Sequence, residues 1–205
     1  MIPDGWKSMP LGTIGKFTKG AGISKAEVLD SGYSAVRYGE LYTSHHVVVK
    51  EIKSFISEDS KKKSRRIKYG DILFAGSGET AEEIGKSAVY LGTDEAYAGG
   101  DIIVFTPNES DPMFLAYLLN SQEIRKHLWS RGQGQSVVHI YATELSKLPL
   151  DIPPLPEQKK IADILSTWDT AIATVSRLIE AKRKLKKGLM QQLLSGKKRF
   201  PGFEE

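Results

Sequence analysis

The chain has 205 residues, 40% of them hydrophobic and 26% charged, with a formal charge of +4. That is the composition of a globular protein and excludes the disordered and fibrous classes. There is no cysteine, so disulfide scaffolds, cysteine nucleophiles and thiolate metal sites are all excluded, in keeping with a reducing compartment. The apolar run Phe114 to Leu119 is far short of the roughly 20 residues a membrane span needs, so no transmembrane helix is expected. The opening Met1-Ile2-Pro3-Asp4-Gly5-Trp6 has neither the basic nor the apolar region of a secretory signal, and a cytoplasmic location is expected.

Up to about residue 150 short apolar runs alternate with glycine-punctuated turns. Strands are expected at Ser34–Tyr38, His46–Lys50, Asp71–Ala75, Ser87–Leu91 and Asp101–Phe105. One helix is expected from Asp111 and Pro112 to Arg131. Phe114, Leu118, Ile124 and Leu128 follow helical spacing, Pro112 suits a first turn and Gly132 supplies a stop. Residues 1–152 therefore read as one α/β (α+β) domain with a mixed, curved sheet, large enough to bury about two thirds of its unfolded surface.

Pro153-Pro154-Leu155-Pro156 cannot be helix interior and marks a boundary. A single long coiled-coil helix is expected within 153–199, with 200–205 as a tail. Ile161, Leu165, Trp168, Ile172, Val175 and Ile179 recur at alternating steps of four and three, and the register runs on through Lys182 and Lys186 to Leu189 and Leu193. Leu178 and Leu185 lie beside this seam. Helical from Glu157 to Leu194, the segment would measure about 57 Å at roughly 1.5 Å per residue. A helix longer than its domain is wide leaves part of its stripe uncovered. A partner helix is expected, the alternative being a helix folded back on its own domain.

Charge is unevenly placed. Glu157 to Arg199 holds eleven Lys/Arg against four acids, whereas residues 1–156 are nearly neutral. Within the latter, Lys50 to Lys68 holds eight basic residues and three acids, and Tyr69 to Asp111 one lysine and nine acids, which implies faces of opposite sign and a polyanionic partner on one of them. Lys61, Lys62, Lys63, Arg65 and Arg66 are the candidate phosphate contacts; an ordinary solvated loop is the equally open reading.

Several motifs fail on inspection. Gly76 to Ser87 resembles a phosphate-binding loop, but the glycine required five positions before Gly85 is Thr80, and Lys86 leads into a strand-like run instead of a helix. What remains is a Gly/Ser turn able to bring backbone N–H groups to a phosphate or base edge, with Ser77 and Thr80 as candidates. Asp151-Ile152-Pro153-Pro154-Leu155 resembles the Asp-Pro-Pro-aromatic tetrapeptide of amino-methyltransferases, yet an isoleucine is inserted and the aromatic is missing, so the chain should methylate nothing alone. His45, His46, His127 and His139 form no metal motif. Ser136, His139 and Asp151 lack the sequence context of a hydrolytic triad.

More informative is Arg131-Gly132-Gln133-Gly134-Gln135-Ser136-Val137-Val138-His139. Guanidinium, amide, hydroxyl and imidazole groups on a glycine-loosened loop are the groups that reach base edges. Arg131, Gln133, Gln135, Ser136 and His139 are the candidate base contacts, against the plainer reading of a polar loop that ends a helix.

The order of segments, with Gly70-Asp71-Ile72-Leu73-Phe74, the Gly/Gln loop, Leu148-Pro149-Leu150-Asp151-Ile152-Pro153-Pro154-Leu155-Pro156-Glu157-Gln158-Lys159-Lys160-Ile161-Ala162 and the closing Leu189-Met190-Gln191-Gln192-Leu193-Leu194-Ser195-Gly196-Lys197-Lys198-Arg199-Phe200, resembles the DNA-specificity subunits of type I restriction-modification systems. The resemblance covers essentially the whole chain. It implies a target-recognition domain followed by a spacer helix, a unit the usual subunit carries twice with its helices antiparallel. Here it occurs once, which implies a half-subunit that dimerises or half of a longer protein. It further implies a non-catalytic reader of double-stranded DNA that pairs as a homodimer through Ile161, Leu165, Trp168, Ile172, Val175, Ile179, Leu189 and Leu193. Such a reader would direct a modification subunit, which itself holds S-adenosylmethionine and methylates adenine, and in some systems a restriction subunit, to a bipartite target. No cofactor is expected in this chain. A stand-alone regulatory DNA-binding dimer, and an enzyme using the Gly76–Ser87 loop, are the alternatives.

Overall fold

Three strands, β7 (Ile72–Ala75), β9 (Ser87–Tyr90) and β11 (Ile102–Pro107), are apolar on both faces. Successive side chains of a strand point to opposite sides, and here each side finds a separate core. Ile72, Phe74, Val89, Ile103 and Phe105 enter one cluster, while Leu73, Ala75, Ala88, Tyr90, Ile102 and Val104 enter another. A sheet covered on both faces reads as a continuous apolar run without alternation, which is why these strands stand out in the sequence. They form the centre of a five-stranded sheet completed by β2 (Gly15–Lys19), antiparallel to β11, and β4 (Val48–Val49), parallel to β9.

The computed structural model describes residues 2–49, 51–134 and 137–203. The chain divides into two units, Met1–Ala162 and Asp163–Glu205. In the first, one face of the five-stranded sheet is covered by α3 (Pro112–Leu119) and α4 (Gln122–Trp129), which contribute Phe114, Leu115, Leu119, Ile124 and Leu128. The other face packs against a second sheet ordered β5 (Ser54–Ile56), β3 (Tyr33–Val36), β10 (Ala96–Ala98) and β6 (Arg65–Ile67), together with Leu41 of α1 (Tyr38–Thr43). The result is a mixed α/β domain with the two curved sheets at its centre. Its N-terminal β1 (Lys7–Pro10) pairs antiparallel with β13 (Pro149–Ile152), the strand that leads into the long helix. The short α2 (Glu58–Lys63), β8 (Ser77–Gly78), β12 (Val138–His139) and α5 (Ala142–Ser146) complete the unit.

The single helix expected over 112–131 is two helices. Asn120 caps the first and Ser121 opens the second. The Asn120 amide donates to the carbonyls of Ala116 and Ser87, both at 2.8 Å, and so anchors the break to β9. The strand expected at Ser34–Tyr38 ends at Val36, because Arg37 caps α1 and its N–H donates to the Glu40 carboxylate at 2.9 Å. Of His46–Lys50, Val48 and Val49 form the strand, and Lys50 lies outside the described residues.

The final helix, α6 (Leu155–Leu194), has 40 residues, about 60 Å at roughly 1.5 Å per residue. It starts two residues earlier than the proline run suggests, with Pro156 in the first turn, where a missing N–H costs nothing. Its root is tied down. Buried Gln158 donates to the Pro153 carbonyl and accepts from the Asp111 N–H, both at 2.9 Å, while the Trp6 indole N–H donates to Glu157 at 3.3 Å. In the second unit the same helix is exposed nearly throughout.

Candidate functional site

Two candidate residues 62 positions apart come together. β8 and β12 pair antiparallel with His139 opposite Ser77, and Ser77 Oγ lies 2.8 Å from His139 Nδ1. Gln133 closes the loop from the other side: its N–H donates to the His139 carbonyl at 2.9 Å, and the His139 N–H donates to the Gln133 carbonyl at 2.7 Å. Gly134 makes this turn at φ +120, where a Cβ would lie 2.1 Å from the Val137 carbonyl oxygen, so only glycine fits. Gln133, Ser77 and His139 thus share one hydrogen-bonded corner. Gln135 and Ser136 lie outside the described residues. Arg131, at the end of α4, donates to the His127 carbonyl at 2.7 Å.

Beside this corner is a cavity of about 380 Å³ whose lining includes Phe17, Thr18, Lys19, Asp101, His139 and Tyr141. The Tyr141 ring lies 6.4 Å from that of His139 with an angle of 21° between them. Thr18 Oγ1 is buried without a hydrogen-bond partner. Sequence reading missed Tyr141 and Lys19. The available signal for Tyr141 was its position two residues beyond His139; Lys19, at the end of an unassigned strand, gave none.

The Gly76–Ser87 segment is not free to receive a phosphate through Glu79 and Thr80. Both backbone N–H groups donate to the Glu83 carboxylate, at 2.7 and 3.3 Å, so the loop carries its own anion. Lys86 turns away and donates to the Tyr42 carbonyl at 3.4 Å, and burial lowers its pKa. The loop is held from behind by Arg125 of α4, whose guanidinium donates to the carbonyls of Ile84, at 3.0 Å, and Glu82. Burial brings its pKa down to about 10. Thr80 is exposed at the tip and Ser77 is buried at the base.

The basic candidates lie elsewhere, on α2 and on β6 at the edge of the four-stranded sheet. Because β6 pairs with β10, residues of the acidic stretch are brought against the basic one, and the two charge blocks are not cleanly separated onto opposite faces. Lys61 lies 3.2 Å from Glu95, 3.7 Å from Glu58 and 3.8 Å from the Tyr33 ring centre. Desolvation opposes its charge, but the Glu95 hydrogen bond and the two carboxylates outweigh it and hold the pKa above the usual lysine range. Lys62 pairs with Asp59 at 3.2 Å on the surface, and Arg66 sits loosely 3.9 Å from Glu95. Lys63 and Arg65 are exposed.

The seam residues all lie on α6. Ile161 is half-buried against the core of the first unit, next to buried Ala162. From Leu165 the stripe is open: Trp168 is 65% exposed, and Ile172, Val175, Ile179 and Leu189 are also exposed. Leu193 is partly exposed. Among the described residues no group of acidic or histidine side chains could hold a metal, and no helix is long and apolar enough to cross a membrane.

A two-sheet head with a polar, glycine-turned corner and a basic sheet edge, followed by a long helix with an open apolar stripe, is the build of a modular recognition protein. Comparison with known proteins gives the family. Residues 3–183 match the type I restriction modification DNA specificity domain, and the chain belongs to that family. It is 33% identical over 202 residues to a Methanocaldococcus jannaschii protein named as the MjaX type I restriction enzyme specificity subunit, covering 95% of this chain and 46% of the relative. It is 28% identical over 197 residues to the MjaVIII specificity subunit of the same organism, covering 95% and 43%. The chain thus spans about half the length of the curated relatives it matches. Crystal structures of the S subunit from M. genitalium (20% identity) and the HsdS subunit from Thermoanaerobacter tengcongensis (16%) share the fold. Both have a TM-score of 0.62, over 95% and 94% of this chain and 46% and 45% of theirs.

Proposed function

We propose that this chain is the non-catalytic DNA-reading component of a type I restriction-modification assembly. It binds double-stranded DNA sequence-specifically and directs a partner adenine methyltransferase, in some systems with a restriction subunit, to a bipartite target. The observation that carries this reading is the family match running through both the head and the helix. The corner made by Ser77, Gln133 and His139 supports it: Gln133 and His139 carry groups that exchange hydrogen bonds with base edges, and buried Ser77 holds the imidazole through its hydroxyl. Arg131, Gln135, Ser136 and Thr80 extend the base-reading set, and Lys62, Lys63, Arg65 and Arg66 supply phosphate contacts. Lys61, held by Glu95, braces that edge.

The chain acts as a homodimer. Each large apolar side chain left in water along Leu165–Ile179 forfeits about 1.5–3 kcal/mol, and a second copy offers the matching face. Two identical readers related by a dyad select an inverted repeat interrupted by unread base pairs. S-adenosylmethionine is held by the modification subunit. Co-expression with that subunit tests the reading. The expected result is a co-purifying complex that methylates adenine only in duplexes carrying the target; a chain that binds one sequence tightly yet never associates with the subunit would be a stand-alone regulator.

A further inference from the structure

The cavity of about 380 Å³ beside the Ser77–His139 corner has a chemistry that contacts to phosphates and groove edges do not call for. Its floor is apolar. Phe17 of β2 and Ile103 of β11 stand on one face of the five-stranded sheet, where Phe17 pairs with Phe105 and Lys19 with Ile103. Buried Gly76, two residues beyond Phe74, adds no side chain to fill the space, and a Cβ there would lie 2.7 Å from the Asp101 carbonyl oxygen. One wall is aromatic. His139 and Tyr141 both line the cavity, with ring centres 6.4 Å apart and planes 21° from parallel, so a planar ring laid along either is nearly parallel to both.

The polar groups around this floor are unspent. Among the described residues neither the Lys19 ammonium nor the Asp101 carboxylate has a hydrogen-bond or ion-pair partner, and the Tyr141 hydroxyl has none. His139 Nδ1 is engaged by Ser77 at 2.8 Å, which leaves Nε2 for an incoming group. Asp101 sits at φ +60, where glycine would carry less strain; the carboxylate is what an aspartate adds at that position.

We propose that this cavity holds a single nucleobase, stacked against Tyr141 and His139 and met on its edge by Lys19 and Asp101. This rests on the DNA-reading function and deepens it. The volume is at the small end of the range for ligand sites, and an apolar floor with a few polar groups is their usual build. A base edge presents acceptors and donors side by side. Lysine only donates and an ionised aspartate only accepts, so the two together match such a mixed edge. A phosphate would be repelled by Asp101, and a purely apolar side chain would leave both charges without partners. Ser77 and His139 belong to the corner and to the cavity alike, so the base that enters adjoins those read at the corner. In a duplex it is a base turned out of the stack, held as extruded bases are, by stacking on one side and hydrogen bonds on its edge.

Turning out a paired base costs free energy that an unpaired base does not require, and the test uses that difference. Fluorescence anisotropy of the full chain compares a fully paired duplex with the same duplex carrying one unpaired nucleotide, each of the four bases in turn. At least one unpaired base should bind about tenfold tighter than the paired duplex. Tyr141→Ala removes a wall that is 52% exposed, and Asp101→Asn keeps a residue tolerant of the same φ; each should bring the ratio below about threefold, while Tyr141→Phe retains most of it. A ratio unchanged in the Ala and Asn variants reports duplex bending and overturns the proposal. Saturation-transfer NMR with free adenosine, guanosine, cytidine and thymidine separates the sources. A nucleoside signal lost in Tyr141→Ala, without preference for any unpaired base, keeps the pocket and moves its source from DNA to the free nucleoside. Neither preference nor nucleoside signal overturns the pocket, and binding to the paired duplex then leaves the DNA-reading function standing. A nucleoside signal from a chain that binds no duplex removes that function and leaves the pocket.

Discussion

Lys61 and Arg65 are four residues apart in one basic run, yet the structure gives them different work, and salt dependence separates them. Arg65 is exposed on β6, whereas the Lys61 ammonium lies 3.2 Å from Glu95 and over the Tyr33 ring. A cation already neutralised by a carboxylate displaces few counterions from DNA; a free one releases about 0.9 per phosphate contacted. In a homodimer each substitution enters twice. Arg65→Ala should therefore flatten the slope of log K against log salt by about 1.8, and Lys61→Ala by less than about 0.5. Between about 0.05 and 0.2 M salt, a slope difference of 1.8 changes the affinity ratio of native protein to Arg65→Ala roughly tenfold. Fluorescence anisotropy of a labelled duplex over that salt range measures both slopes. Equal flattening by the two variants would refute the assignment of Lys61 to bracing the sheet edge.

Gln133→Ala should relax preference at one base pair by about 1–3 kcal/mol while leaving affinity for random duplex unchanged; competition with single-substituted duplexes measures it, and a uniform loss on all sequences would count against base reading. Replacing buried Arg125 by Met leaves the carbonyls of Ile84 and Glu82 without their donor and should cost about 2–3 kcal/mol in urea unfolding, an unchanged midpoint being the contrary result. Burial lowers the His45 pKa from 6.5, so the folded state resists a proton that the unfolded chain accepts. That contribution is present above pH 6.5 and lost as pH falls below it. His45→Gln should flatten the fall in melting temperature from pH 7 to 5, and an equally steep fall would show that His45 is not its source. Trp168→Ala, by removing two buried indoles per dimer, should raise the dimer Kd at least a hundredfold by sedimentation equilibrium, whereas a shift under about threefold would place Trp168 outside the interface.

What could be seen in the sequence follows from burial. β7, β9 and β11 are covered on both faces and so write continuous apolar runs, while β1, β2 and β13 carry exposed residues, with prolines at Pro10 and Pro149, and show no comparable signal. The long helix was legible because its stripe has no competing surface over most of its length, and its root at Leu155–Ala162 less so, since Gln158 and Ala162 are buried by the head. In the candidate site His139 was named for its chemistry and Ser77 for the loop that carries it. That they touch depends on β8 pairing with β12 across 62 residues, which no local pattern encodes. The basic run was legible as charge, but the diversion of Lys61 to Glu95 comes from β6 pairing with β10, again a long-range event.

In the proposed function two copies of this chain, joined through α6, read DNA as a pair. Selection of bound duplexes from a random-sequence library by the purified full chain tests it most directly. Enrichment of one inverted repeat with a fixed unread gap is expected. A single uninterrupted half-site, or no enriched sequence at all, would contradict it.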